Sequence, residues 1–430
     1  MRRHASQRLL LGCALACALP AAATGQERAV VLRNATVLTA AGPPIERGSV
    51  VFVKGRIVSV GRDVAVPAGA QVVDMAGRYV IPGIVDPHSH LGVSSWPQTP
   101  GTSDTTETSD PITPQARVAD AYDGDDPAIR RVVAAGVTTV QVFPGSGNVI
   151  GGEGAVTKLK PGRPYAEVAF PGAPRLMKMA VGENPKSVYG RQNKAPVTRM
   201  GTMALLREAF TRAREYRERW DAWEAKPAEG RGPAPARDLR LDPLADVLRG
   251  KVRVHIHCYR RDEFLGLLRL SDEFGFKITS FQHAMEAYKV AEELARRGVG
   301  VSVYPDAFGR KLEHWDQVPQ NAAYLNASGV LVSLHSDFPF FAQRLHVEAA
   351  KLLRYGGISE ADALKTITIN AARIIGVEKE VGSLEAGKQA DIAVFDRDPF
   401  DSFSRCERTY IDGELVFDRV RDKGWLEAAH

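Results

Sequence analysis

Between residues 82 and 375 the sequence alternates short apolar runs with helix-patterned stretches, and that alternation constrains the fold more than any other feature. The runs "GVTTVQVF", "RLMKMAV", "KVRVHIHC", "FKITSFQH", "GVGVSVYP" and "GVLVSLHSD" read as buried strands. "DEFLGLLRLSDEFG", "AYKVAEELARRG" and "SEADALKTITINAARIIG" read as helices, the last with Ser359 and Asp362 as a candidate cap. Strand–helix alternation of this kind implies a parallel sheet. With so many repeats, a closed barrel fits better than an open sheet. No 20–50-residue repeat of sequence accompanies it.

Two β-patterned segments flank this middle section. Residues 29–81 carry "AVVLRNATVLTA", "GSVVFVKGRIVSVG" and "QVVDMAGRYVIPG", and residues 380–420 carry "VGSLEAGKQADIAVFD" and "RTYIDGELVFD". Lys54-Gly55 and Asp412-Gly413 are hairpin-turn signals. One stretch, residues 200–250, breaks the rhythm. A charged helix over Leu205–Trp223 runs into a segment rich in Pro, Ala and Gly. It reads equally well as a solvated helix with its loop or as a lid, since long loops on barrels are often functional.

Residues 1–25 read as an export signal: a basic start through Arg8, an apolar core over Leu9–Leu19, then Pro20 and Ala21-Ala22-Ala23 as a cleavage site. The expected location is the periplasm or the medium. The apolar core is too short to span a bilayer. The formal net charge of +5 includes Arg2, Arg3 and Arg8, so the processed chain would carry +2. That balance gives no reason to expect nucleic acid as a partner. Cys13 and Cys17 would leave with the signal. Cys258 and Cys406 alone make neither a disulfide framework nor a cysteine-rich zinc site. Any metal must therefore rely on imidazole and carboxylate.

Those groups sit at strand ends. In "VIPGIVDPHSHLG", His88 and His90 are two apart and project from one face of a strand. His255 and His257 end "KVRVHIHC", His283 ends "KITSFQH", and His335 and Asp337 end "GVLVSLHSD". Any one of these histidines, taken alone, is more simply a core residue. Their shared placement is what carries weight, because catalytic groups of a barrel gather at the C-terminal ends of its strands.

"PGIVDPHSH", His257, His283, Asp337 in "HSDFP", and "GSLEAGKQADIAVFD" together resemble the amidohydrolase superfamily, with the exported imidazolonepropionase-like branch as the nearest match. The resemblance implies an α/β fold: a (β/α)8 TIM barrel over residues 82–375, beside a small β-sandwich built from 26–81 and 376–425. It implies a divalent metal, zinc by expectation, as one or two ions held by His88, His90, His257, His283 and Asp337. The fourth strand offers Lys178 or Glu183 as a further ligand. Glu183 is favoured, since it follows its strand immediately and precedes Asn-Pro. His255 and His335 depart from the family's essential pattern and are expected to orient ligands.

The chemistry implied is attack of hydroxide on a carbonyl carbon, a metal having brought the pKa of water to about 7. Asp337 and His283 are the expected catalytic residues. Asp337 carries the proton, and His283 holds a second metal or polarises the carbonyl. The substrate would be a small molecule with an amide bond: a dipeptide, an N-acyl amino acid or a cyclic amide. An imidazolonepropionase-type hydrolase or deaminase, and a non-catalytic metal-binding protein, are the alternatives. Barrels of this family often assemble, so a homo-oligomer is compatible with the chain. Tyr259, Arg260 and Arg261 are read either as a substrate-carboxylate grip or as a solvated turn. "FPGSGNVIGGEG" (143–154) reads as a glycine-rich loop without the lysine of a phosphate loop.

Overall fold

The computed structural model describes residues 28–427, and the expected export signal lies outside them. Five strands open the described chain: β1 (Val30–Val37), β2 (Ile45–Val53), β3 (Arg56–Gly61), β4 (Gln71–Asp74) and β5 (Tyr79–Pro82). Eight more follow: β6 (Ile84–Ser89), β7 (Val137–Val142), β8 (Ile150–Lys158), β9 (Arg175–Ala180), β10 (Val252–Cys258), β11 (Ile278–His283), β12 (Gly300–Val303) and β13 (Val332–Leu334). Three strands close the chain: β14 (Ile392–Phe395), β15 (Cys406–Ile411) and β16 (Glu414–Asp418).

Hydrogen bonding joins both ends of the chain into a single sheet, in the order β16-β15-β14-β5-β1-β2-β3 with β4 beside β1, rather than into two sheets. The seam is β5 against β14, antiparallel, from Pro82–Ile392 to Tyr79–Phe395. Both expected hairpin turns form with two left-handed residues: Lys54 and Gly55 at φ 50° and 74°, Asp412 and Gly413 at φ 51° and 76°. The turns touch, because a Cβ on Gly55 would lie 2.8 Å from the Asp412 carbonyl oxygen. This sheet has its own apolar core around Leu32, Phe52, Val80 and Ile392.

The middle strands form a second eight-stranded sheet in chain order, β6 to β13. All neighbours are parallel except β8, which runs antiparallel to both β7 and β9. The stretch read as a loop, 143–154, is thus partly strand. Residues 143–149 are too few for the crossover that a parallel neighbour needs, about a dozen. Glycines disguise the strand, and they are required there: at Gly152 (φ 122°) a Cβ would sit 2.3 Å from the Ala116 carbonyl oxygen. Between β13 and β6 a few specific bonds replace a ladder. Asp337 N–H donates to the His88 carbonyl (2.9 Å). The wholly buried Asp86 carboxylate accepts from Ser336 N–H (3.1 Å) and from the Ser336 hydroxyl.

Helices surround the barrel, among them α1 (Pro127–Val133), α2 (Tyr165–Val168), α3 (Glu183–Gly190), α4 (Arg199–Glu224), α5 (Asp242–Leu248), α6 (Arg261–Phe274), α7 (Ala291–Arg297), α8 (Asn321–Ala327), α9 (Pro339–Ala342), α10 (Leu345–Gly356), α11 (Glu360–Thr366) and α12 (Ile369–Ile375). Helix α4 fills most of the 200–250 excursion. Its buried side chains include Leu206, Phe210 and Tyr216, and Phe210 stacks on Phe276 at 4.6 Å, so the helix lies in the outer layer. The stretch read as one helix over 359–376 breaks into α11 and α12. At the break, the Ile367 carbonyl accepts the Val85 N–H of β6 (2.9 Å) and so leaves the helical ladder. Ser359 caps α11 as expected, its hydroxyl accepting from Asp362 N–H at 3.1 Å. No helix among the described residues is long and apolar enough to cross a membrane.

Candidate metal centre

His88 and His90 sit on and just past β6, and each has one ring nitrogen already engaged. His88 Nδ1–H donates to Gln282 Oε1 (3.0 Å), and His90 Nδ1–H donates to the Phe143 carbonyl (2.8 Å). The Gln282 amide is held in turn by the Ser280 hydroxyl (2.7 Å), which also meets His255 Nδ1 (2.8 Å). With Nδ1 committed as a donor, each Nε2 keeps its lone pair for a ligand role. Both point at one atom: Asp337 Oδ1 lies 3.4 Å from His88 Nε2 and 3.2 Å from His90 Nε2. The other carboxylate oxygen accepts from Tyr304 OH (2.7 Å).

His283 faces this pair from β11, its ring 4.8 Å from that of His88, with Nδ1 3.2 Å from His335 Nε2. His283 and Asp337 both leave their strands with left-handed backbones, φ 68° and 60°. Residues other than glycine adopt that region at a cost of about 1–3 kcal/mol and keep it only where their surroundings dictate it. His257 packs against His283 at 4.6 Å between ring centroids. It is buried, and neither of its ring nitrogens has a hydrogen-bond partner among the described residues.

Lys178 comes up from inside the barrel on β9, where it is in register with His255. Its amine is 3.2 Å from His88 Nε2 and 3.3 Å from the Pro144 carbonyl. Glu183 opens α3 instead. Its backbone N–H donates to Glu313 (3.1 Å), and its carboxylate lies 3.4 Å from the Lys311 amine. The structure therefore brings Lys178, and not Glu183, against the imidazoles.

Burial sets the charge states. It holds His88, His257 and His283 well below the usual imidazole range, with the Lys178 cation working in the same direction, so all three are neutral and free to ligate. Burial brings Lys178 down to about 7, against the pull of Asp337. Burial would raise Asp337, but its contacts with the His90 and His88 imidazoles outweigh it and hold the carboxylate well below its usual range.

Among the described residues, two groups of ligand atoms fall within 4.8 Å of one another: His88 with His90 and Asp337, and His88 with His283 and His335. Neutral imidazoles, an ionised carboxylate and the unpartnered nitrogens of His257 suit a divalent cation such as zinc, which takes nitrogen and oxygen ligands. Buried polar atoms without partners are otherwise costly.

Around the centre stand residues that the sequence reading did not single out. Tyr304 follows β12 directly, and Gln282 precedes His283, so the strand-end signal that marked the histidines marks them too. Lys311 precedes and His314 ends a single 3-10 turn, Leu312–His314, well past β12, and they carry no such signal. Arg260, one of the expected carboxylate grips, is engaged with Asp262 at 2.9 Å.

Comparisons with known proteins agree with this picture. The model of the Amidohydrolase family matches residues 251–417. A crystal structure of an amidohydrolase from Thermotoga maritima superposes with a TM-score of 0.85 at 38% identity, covering 91% of this chain and 100% of that one. The amidohydrolase tasK of Hapsidospora irregularis is 37% identical over 392 residues, 86% of this chain, which spans 40% of that protein's length. An imidazolonepropionase of Symbiobacterium thermophilum is 27% identical over 406 residues, 81% of this chain and 84% of its own.

Proposed function

This chain belongs to the amidohydrolase family and is a hydrolase acting on carbon–nitrogen bonds, and on that premise we propose that it cleaves a small-molecule amide at a zinc centre held by His88, His90, His257, His283 and Asp337. The observation that carries the proposal is the convergence of two pinned imidazoles on Asp337 Oδ1, beside a buried His257 with both nitrogens unpartnered. When bound, a divalent ion supplies Lewis acidity and a nucleophilic water at neutral pH.

The chain's own residues do the rest. Asp337, ionised and fixed by Tyr304, takes a proton from the attacking water and returns it to the leaving nitrogen. His257 and His283, neutral in their buried setting, would supply further nitrogen ligands to the ion. Lys178 is the fourth-strand ligand in this proposal. Its amine, brought to about 7, can add to carbon dioxide with loss of a proton and so become an anionic ligand.

A dipeptide or N-acyl amino acid is the proposed substrate. A cyclic amide of imidazolonepropionase type is the second reading, supported by the Symbiobacterium relative. A periplasmic or secreted location rests on residues 1–25, and N-terminal sequencing of protein recovered from each compartment checks it.

The test is metal analysis of the purified enzyme, with chelation and re-addition of zinc, against a panel of dipeptides, acyl-amino acids and imidazolones. Zinc-dependent cleavage is expected, and Lys178→Ala should lose metal. Metal-free protein that is indifferent to chelators would sink the proposal. Bound metal with no amide, ester or lactone cleaved would favour a metal-binding role.

A further inference from the structure

We propose that Lys311 and Arg310, on the loop after β12, form a carboxylate-binding subsite that selects substrates with a free carboxylate next to the scissile amide, and that Glu183 is its internal counter-ion, displaced when substrate arrives. The inference rests on the amide-hydrolase reading of the neighbouring centre.

Lys311 projects over the Tyr259 ring, 4.2 Å from its centroid, and the Tyr259 ring is 4.4 Å from that of His257. The ammonium group is thus one aromatic ring away from the metal centre. The two centroid distances, 4.2 Å and 4.4 Å, bound the span from the ammonium to the His257 ring, and one residue length of ~3.5 Å with a charge-assisted bond of about 2.8 Å covers most of it. The Lys311 amine already has partners of the right chemistry. It donates to Asn184 Oδ1 at 2.6 Å, and the Glu183 carboxylate stands 3.4 Å away. That ion pair is longer than a close charge-assisted bond of about 2.8 Å. It is also partly open to solvent, with the two side chains 23% and 25% exposed. A carboxylate of the protein thus occupies, loosely, the place that a substrate carboxylate would take.

Arg310 adds a second cation. Its guanidinium lies 5.1 Å over the Phe338 ring, next to Asp337, and it has no carboxylate partner among the described residues. A planar guanidinium suits bidentate recognition of a carboxylate. His314 packs on Tyr259. Its Nδ1–H donates to the Ala307 carbonyl (2.9 Å), while its buried Nε2 has no partner and its ring lies 4.9 Å from that of Tyr259. In the proposal this buried, unpartnered nitrogen is the acceptor for a substrate N–H once the loop opens to substrate. Together these groups read a short acylated amino acid or dipeptide: carboxylate on the cations, N–H on His314, carbonyl at the metal.

The experiment compares each dipeptide or N-acyl amino acid with its C-terminal carboxamide. The wild-type enzyme should prefer the carboxylate by about 100-fold in kcat/KM, the scale of one desolvated charge pair. In Lys311→Met the preference should fall below about 10-fold, mainly through KM, and Lys311→Arg should restore it. Glu183→Gln should lower KM for carboxylate substrates and keep its metal, which a merely structural pair would not do. Equal handling of carboxylate and carboxamide by the wild type would overturn the subsite while leaving the hydrolase reading intact. So would loss of metal in Glu183→Gln. If no pair is cleaved, the hydrolase reading fails, and calorimetric binding of the same probes decides the subsite: Lys311-dependent binding of the carboxylate form supports it, and equal or absent binding overturns it.

Discussion

His88 and His90 each present Nε2 because something else holds Nδ1: Gln282 Oε1 in one case, the Phe143 carbonyl in the other. The carbonyl of Phe143 is backbone and cannot be removed by mutation, but Gln282 can. Gln282→Leu leaves His88 buried with its tautomer unspecified, so metal affinity is expected to fall about 10–100-fold. Competition against a chelator measures this, and unchanged affinity would mean that the Gln282 bond does not set the ligand. Asp337→Asn keeps the shape and can still accept from Tyr304, but it cannot take a proton. Turnover is expected to drop about 10²–10⁴-fold with the circular dichroism spectrum preserved, and near-normal kcat would remove Asp337 from the proton-transfer role. The histidines were legible in the sequence because each ends an apolar run. The relation of Lys178 to Glu183 was not. Lys178 sits two positions deeper than Ala180 on β9, but its flexible stem carries the amine up to His88. Glu183, nearer in sequence to the strand end, is turned into the start of α3. Side-chain reach, which a string of letters does not display, separates the two.

At the scale of elements, the strands were readable wherever they were apolar, and β8 was hidden because close packing required glycine where pattern reading expects side chains. The late motif "GKQADIAVFD" was readable as a motif, but its physical task emerges only in the fold. Asp391 accepts from the Lys158 amine of β8 (2.8 Å) and from Thr139 (3.3 Å), and both members of the ion pair are buried. The motif therefore fastens the terminal sheet to the barrel. Asp391→Asn should cost about 3–5 kcal/mol in chemical denaturation, reduced by the nearby Asp412 at 3.1 Å. The double change Lys158→Met with Asp391→Leu should recover much of it, and an unshifted midpoint in the single variant would rule the pair out as a fastening. A second buried carboxylate makes stability pH-dependent. Glu263 on α6 faces Glu313, Arg199, Asp262 and Arg260, and burial followed by the Glu313 charge raises it from 4.5 to about 7 against the pull of Arg199. The folded state therefore binds the extra proton between those values. The stabilisation is complete below about pH 4.5 and is lost as pH rises through about 7. Glu263→Gln should flatten that part of the pH–stability curve, and an identical slope in the variant would assign the effect elsewhere.

Across the whole molecule, the barrel's weakest seam lies at its most important place. Strands β6 and β13 are not joined by a ladder. They are held by Asp337 N–H on the His88 carbonyl and by Ser336 on Asp86. The proposed ligands come from both sides of this seam and from β9, β10 and β11, so one bound ion would tie the first strand to the last. Three neutral imidazoles also lie buried beside the Asp337 carboxylate, and His257 has no hydrogen-bond partner among the described residues. Metal binding to the native state alone adds RT ln(1 + [L]/Kd), roughly 2.7 kcal/mol when the free ion is at 100 times Kd. At about 2.1 cal/mol/K of unfolding entropy per residue, a chain of this size shifts by roughly 3 °C in Tm. Chelation should lower Tm by that amount, zinc should restore it, and amide hydrogen exchange should quicken first at the ends of β6 and β13. Verified metal removal with an unchanged Tm and unchanged exchange at that seam would show that the ion does not brace the barrel, even if it serves the chemistry.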